Sequence, residues 1–83
     1  MNIEREIRSI LAEVLSLGAR AERLVPATPL LGSLPELDSM AVVTVITSLE
    51  ERFGFTIDDD EISAQVFATF GSLIEFVTRK LAA

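Results

Sequence analysis

The sequence has no cysteine, no histidine, no tryptophan and no tyrosine among its 83 residues. Without cysteine there is no disulfide, no thiolate nucleophile and no thiolate metal site. Without histidine, the commonest general base and the commonest zinc ligand are both missing. Paired carboxylates remain for acid–base work, but a helical chain this short offers little cleft to hold them. Chemistry that involves this chain is therefore expected in the active site of another protein, with no catalytic residue and no metal of its own. Long apolar runs are also lacking. The uncharged stretches 24–35, 39–49 and 62–74 all fall short of the roughly 18 residues that a membrane span needs. At the N-terminus Glu4 and Glu6 alternate with Arg5 and Arg8, unlike the basic-then-apolar start of a signal peptide. The expected location is the cytoplasm.

Positive charge is scarce: seven Lys and Arg stand against 13 Asp and Glu, a net charge of −6. Residues 1–35 and 62–83 are close to neutral. Residues 36–61 hold Glu36, Asp38, Glu50, Glu51, Asp58, Asp59, Asp60 and Glu61 against Arg52 alone. The acidity thus sits in the middle third. Such a field repels nucleic acid and anionic membranes and attracts a basic protein surface. It also serves simply to keep a small protein soluble.

What is present reads as a small helical bundle, a single domain over 1–83 that is expected to be monomeric. Ile3, Ile7, Ile10, Leu11, Val14 and Leu15 recur at helical spacing with charge on the other face. Asn2 stands where an N-cap belongs and Gly18 where a C-terminal cap belongs. Pro26, Pro29, Gly32 and Pro35 break the next stretch. Its leucines and valine (Leu24, Val25, Leu30, Leu31, Leu34) suit an ordered loop pinned to the core.

A second helix is expected from Asp38-Ser39 to Gly54, with Val42, Val45, Ile46, Leu49 and Phe53 as its inner stripe. The run from Val42 to Thr47 is β-branched throughout, which favours strand by propensity. The Asp-Ser start, the Glu50-Glu51-Arg52 end and the stripe reaching Phe53 argue for helix instead. Residues Ile62 to Phe67, with Ser63 as a possible cap, read as a short helical piece. Thr69 then caps a last helix that turns Phe70, Leu73, Ile74, Val77 and Leu81 inward. The expected architecture is all-α: three main helices plus one short one, with a long ordered loop between the first two. The run Asp58-Asp59-Asp60-Glu61 lacks the alternating ligands and the glycine of a calcium loop and reads as a solvated turn.

Ser39 is the residue of most interest. It ends the long loop, starts a helix and lies in the acidic third. A helix N-terminus offers unpaired N–H groups and partial positive charge, so a phosphate attached there is tolerated. By local chemistry alone, Asp38-Ser39 reads first as a plain helix cap. As a nucleophile in its own right Ser39 has no base to activate it.

The longer string decides between these. Glu36-Leu37-Asp38-Ser39-Met40-Ala41-Val42-Val43, closing on Leu49-Glu50-Glu51-Arg52-Phe53-Gly54, resembles the phosphopantetheine attachment region of acyl carrier proteins. The resemblance runs over nearly the whole chain. It includes the amphipathic first helix, Leu30-Leu31-Gly32 in the loop, the acidic turn after Ile57, and Phe67-Ala68-Thr69-Phe70-Gly71-Ser72-Leu73. It implies that a phosphopantetheinyl transferase, using a divalent metal, places 4′-phosphopantetheine from coenzyme A on Ser39. The arm's thiol would then hold acyl groups as thioesters for the enzymes of fatty-acid, polyketide or specialised acyl-transfer pathways. The resemblance further implies that a core of Val, Ile and Leu can open to shelter an acyl chain.

The sequence departs from the pattern at two places. Carriers of fatty-acid synthesis place acids in the first half of the helix after the serine, where this chain has Ala41, Val43 and Thr44. Glu36, Asp38, Met40, Val43, Thr44, Thr47, Glu50 and Glu51 are the candidate docking residues: apolar near Ser39, acidic at the far end, and suited to acyl-loading and acyl-using enzymes with basic docking surfaces. Asp-Ser-Met also resembles D-alanyl carriers and specialised stand-alone carriers of exosortase and exopolysaccharide loci. A D-alanyl or aminoacyl carrier is thus an alternative. An acidic helical adaptor without a prosthetic group is another.

Overall fold

The computed structural model describes residues 2–82. Three helices form: α1 over Ile3–Val14, α2 over Ser39–Phe53 and α3 over Phe70–Ala82. Two 3-10 turns, Gly18–Arg23 and Asp59–Glu61, lie in the connections. No strand forms among the described residues; Pro29 and Thr69 make an isolated antiparallel bridge. α2, α3 and the first 3-10 turn all pack against α1. The expected all-helical bundle with its long ordered loop is the fold that forms.

α1 begins where the sequence places it, with the Asn2 side chain accepting from Arg5 N at 3.0 Å. Its end differs. The helix stops at Val14 rather than running to a cap at Gly18, and Ser16 takes the left-handed conformation at φ 53°. Leu17 N donates to Ala12 O at 3.1 Å, closing the terminus. Stopping early lets Leu15, Leu17 and Ala21 all reach the core. Gly18 instead opens the 3-10 turn.

α2 is helical despite its β-branched run, because period 3.6 buries Val45 and Leu49 and half-buries Val42, Ile46 and Phe53. Burying that stripe outweighs propensities of a few tenths of a kcal/mol per residue, roughly. The Thr44 and Thr47 hydroxyls donate to Met40 O and Val43 O at 3.0 and 3.1 Å, so they are satisfied within the helix. Gly54 ends it at φ 74°, a backbone conformation open to glycine.

The loop from 24 to 38 is ordered in two unlike halves. Leu24 and Leu30 are buried, while Val25 and Leu31 are exposed. Four backbone hydrogen bonds fasten this first half to the entry of α3. Leu30 N donates to Ala68 O, Leu31 N to Phe67 O, Phe70 N to Thr28 O and Gly71 N to Pro26 O, all between 2.8 and 3.0 Å. The last approach is so close that a Cβ on Gly71 would stand 2.8 Å from Pro26 O. Alanine gains up to about 1 kcal/mol in helix propensity, but overpacking costs about 1–3 kcal/mol. Gly71→Ala is therefore expected to lower stability by about 1 kcal/mol, read as a lower urea midpoint by circular dichroism. An unchanged or higher midpoint would contradict the contact.

Between α2 and α3 the short helical piece sits elsewhere than expected. It is the 3-10 turn Asp59–Glu61; residues 64–67 form turns, and Ser63 caps no helix but accepts Val66 N on its carbonyl. The Glu61 carboxylate draws the helical turn forward by accepting Asp58 N at 2.9 Å and Lys80 Nζ at 2.9 and 3.0 Å. α3 is capped at Thr69 as expected, through reciprocal 3.0 Å bonds between Thr69 and Ser72. Leu81 is 41% exposed rather than inward. Phe76, four residues after Ser72, takes a core place with Phe70, Leu73 and Val77.

Candidate functional site

Ser39 is the first residue of α2 and is exposed. The cap is made by Asp38, whose backbone is extended and whose Oδ1 accepts Ala41 N at 2.9 Å. Asp38 O accepts Val42 N at 2.9 Å. Capping therefore falls to Asp38 alone, and the Ser39 hydroxyl has no hydrogen-bond partner among the described residues. The Ser39 and Met40 N–H groups have none there either. An exposed, uncommitted hydroxyl beside two free N–H groups at the positive end of a 15-residue helix is a good seat for a phosphodiester. The residues present therefore fit a covalently attached phosphopantetheine.

The candidate docking residues do not form one uniform surface. Met40 and Val43 are 74% and 59% exposed, two large apolar side chains one turn apart on α2. Thr44, Thr47 and Glu51 are exposed beside or beyond them. Two of the acids are engaged elsewhere. Glu50 Oε2 accepts Ile57 N at 2.7 Å, tying the end of α2 to the following loop. Glu36 forms an ion pair with Arg20 of the first 3-10 turn. The Arg20 guanidinium, and then the residue's own backbone N–H, hold the Glu36 carboxyl below its usual value of 4.5.

The acidic turn after Ile57 is likewise divided. Asp58, Asp59 and Asp60 are exposed, while Glu61 is half-buried under Lys80. The Asp58 N–H, followed by Lys80, holds the Glu61 carboxyl below 4.5. A lowered carboxyl value means that the stabilisation is present above the unfolded-state value and is lost as pH falls through the folded one. Glu61→Gln should thus lower the melting temperature at pH 7 and narrow the gap to the parent as pH falls below about 4.5. Melting curves at both pH values check it; an equal gap at each would contradict the ion pair.

The sequence reading missed Arg8. Helical spacing alone places it on the outer charged face of α1. Its Nε donates to Ala21 O at 3.0 Å and its Nη2 to Leu24 O at 2.8 Å, while its guanidinium lies 5.3 Å from the Phe70 ring centre. One side chain thus joins α1, the start of the long loop and α3. Its position next to Ile7 at the edge of the apolar stripe was the one available signal, since a long Arg stem can lie along apolar surface.

The family model of the phosphopantetheine attachment site matches residues 5–77. The chain belongs to the phosphopantetheine-binding acyl carrier proteins. It is 36% identical to the acyl carrier protein of Desulforapulum autotrophicum over 80 residues, covering 96% of this chain and 99% of that one. It is 33% identical to the acyl carrier protein of Thermosynechococcus vestitus over 81 residues, covering 98% and 94%. The solution structure of a holo acyl carrier protein from Nitrosomonas europaea superposes with a TM-score of 0.92 at 57% identity, over 100% of both chains. The chain is therefore a carrier and not an enzyme, and its cofactor is a covalently attached 4′-phosphopantetheine. Among the described residues no helix is long and apolar enough to cross a membrane.

Proposed function

We propose that Ser39 is the attachment residue and that this carrier presents acyl thioesters to a restricted set of partner enzymes. One observation carries the assignment: Asp38 caps α2, which leaves the Ser39 hydroxyl exposed and unbonded at the helix N-terminus. In the transfer, Ser39 Oγ forms a bond to the pantetheine-side phosphorus of coenzyme A. The nucleotide half leaves, and the hydroxyl proton passes to the transferase. The arm then supplies a mobile thiol for thioester exchange. The need for coenzyme A and a transferase is compatible with work in the cytoplasm. Intact mass after co-expression with a broad-specificity transferase tests the reading. A gain of one phosphopantetheine that Ser39→Ala abolishes supports it; a gain that survives Ser39→Ala would overturn it.

The finer reading concerns the partners. The face of α2 next to Ser39 presents Met40 and Val43 rather than carboxylates, with Asp38 and Glu51 left as exposed acids. An apolar centre with an acidic edge suits a groove with apolar floor and basic rim. Enzymes that grip a carrier mainly through charge along this helix would find little to hold in its first half. This favours a specialised acyl-transfer pathway. Val43→Asp is expected to weaken use by the cognate loading enzyme about tenfold or more, as burying an unpaired charge in an apolar contact would, with an unchanged melting temperature because Val43 is exposed. Unchanged kinetics would remove Val43 from the docking face.

A further inference from the structure

The loop ahead of Ser39 is firmly held over its first half and almost free over its second. Residues 24–31 are fastened to the entry of α3 by backbone hydrogen bonds. Residues 32–38 make only short-range turns: Ser33 N and Leu34 N donate to Leu30 O, and Leu37 N donates to Leu34 O. Two things connect this stretch to the rest of the protein. Leu37 is buried at 5% exposure, with Leu34 packed more loosely against the core. The other is the Arg20–Glu36 ion pair, which is the one polar contact among the described residues between 32–38 and any element beyond the adjoining loop and helix. Arg20 sits on a 3-10 turn that is itself anchored, because Ala21 O and Leu24 O accept from Arg8. A chain of contacts therefore runs from α1 through Arg8 and the 3-10 turn to Glu36. Glu36 lies two residues before the Asp38 cap and three before Ser39.

We propose that Arg20 and Glu36 act as positioning residues for Ser39: their ion pair holds residues 36–38 in the register that lets Asp38 cap α2 and present the hydroxyl. This rests on Ser39 being the attachment residue. It also gives Glu36 a different role from docking, since its carboxylate is turned to Arg20 rather than offered to a partner. Loosening residues 36–38 leaves fewer molecules with Ser39 presented. That raises the apparent dissociation constant for the transferase in inverse proportion to the presented fraction, while the bound complex reacts as before. The pair is partly solvent-exposed, with side chains 53% and 32% accessible, so the effect belongs to the range of surface pairs.

The test measures loading of the apo carrier by a broad-specificity phosphopantetheinyl transferase. The variants are Arg20→Glu, Glu36→Arg and the double reversal, each also followed by amide hydrogen exchange at Ala41 and Val42. Each single reversal is expected to raise KM about two- to fivefold, with kcat unchanged and faster exchange at those two amides, which Asp38 binds. The double reversal is expected to restore both readouts. If Glu36→Arg impairs loading, Arg20→Glu does not and the double reversal stays impaired, Glu36 is a docking residue and the proposal fails. It also fails if kinetics and exchange are unchanged in the single reversals. If the parent chain takes up no phosphopantetheine at all, the attachment reading fails separately. The exchange rates at Ala41 and Val42 still decide whether the pair holds the cap.

Discussion

Ser39→Ala is expected to abolish uptake of phosphopantetheine and to leave the stability of the carrier within about 0.5 kcal/mol of the parent. The two halves of this expectation come from different atoms. Uptake requires the hydroxyl oxygen, and no other group at the start of α2 can take its place as a nucleophile. Stability is spared because the hydroxyl makes no hydrogen bond among the described residues and the cap belongs to Asp38. Asp38→Ala supplies the contrast, since losing an N-cap costs about 1 kcal/mol. Intact mass and urea unfolding on both variants separate attachment from capping. Residual uptake by Ser39→Ala would mean that another hydroxyl is loaded. A stability loss for Ser39→Ala as large as that for Asp38→Ala would mean that the serine, too, holds the helix.

The second large effect is in the core. Phe70 is the largest fully buried side chain, at 0% exposure. It opens α3, its N–H donates to Thr28 O at 2.9 Å, and the Arg8 guanidinium lies over its ring. Replacing a buried Phe by Ala costs about 3–5 kcal/mol. A chain of this length has roughly 4–12 kcal/mol of total stability. Phe70→Ala is therefore expected to remove from about a quarter of that stability to all of it, read as a much lower urea midpoint, whereas Phe70→Leu, which leaves a smaller cavity, should cost less. Far-ultraviolet circular dichroism is the suitable probe, because the chain has neither Trp nor Tyr. A loss below about 1 kcal/mol for the alanine variant would show that Arg8 and the loop collapse into the space, which is the one route by which a core escapes the cavity penalty.

The parts of this fold that were legible in the sequence are those with a repeating apolar period and a capping residue. α1 from Asn2, α2 from Asp38 to Gly54 and α3 from Thr69 all meet that description. The β-branched run of α2 did not mislead, because its stripe continued to Phe53. Long-range polar contacts were not legible. Nothing local says that Arg8 reaches Ala21 O and Leu24 O, or that Arg20 faces Glu36. The same contacts explain the misplaced details. Glu61 bends the chain at Asp59–Glu61 by capturing Asp58 N and Lys80, so the helical turn precedes Ile62–Phe67. Leu15 and Leu17 both being buried ends α1 before Gly18.

The site divides along the same line. Ser39 was visible as an Asp-Ser helix start inside an acidic third, and the family pattern made it the attachment candidate. The sequence could not show which of the two residues caps the helix; the geometry gives that role to Asp38. The docking face was visible only as a list of outward positions. In the structure Glu36 and Glu50 make contacts with Arg20 and Ile57 N, and Met40 and Val43 are the exposed apolar pair beside the serine.

The central claim is that the arm sits on Ser39. The most direct measurement is peptide mapping by tandem mass spectrometry of the chain after loading by a transferase. The account predicts phosphopantetheine on the peptide containing Ser39, with fragment ions placing it on that residue and on none of Ser9, Ser16, Ser33, Ser48, Ser63 or Ser72. Phosphopantetheine on any of those six, with Ser39 unmodified, would contradict it.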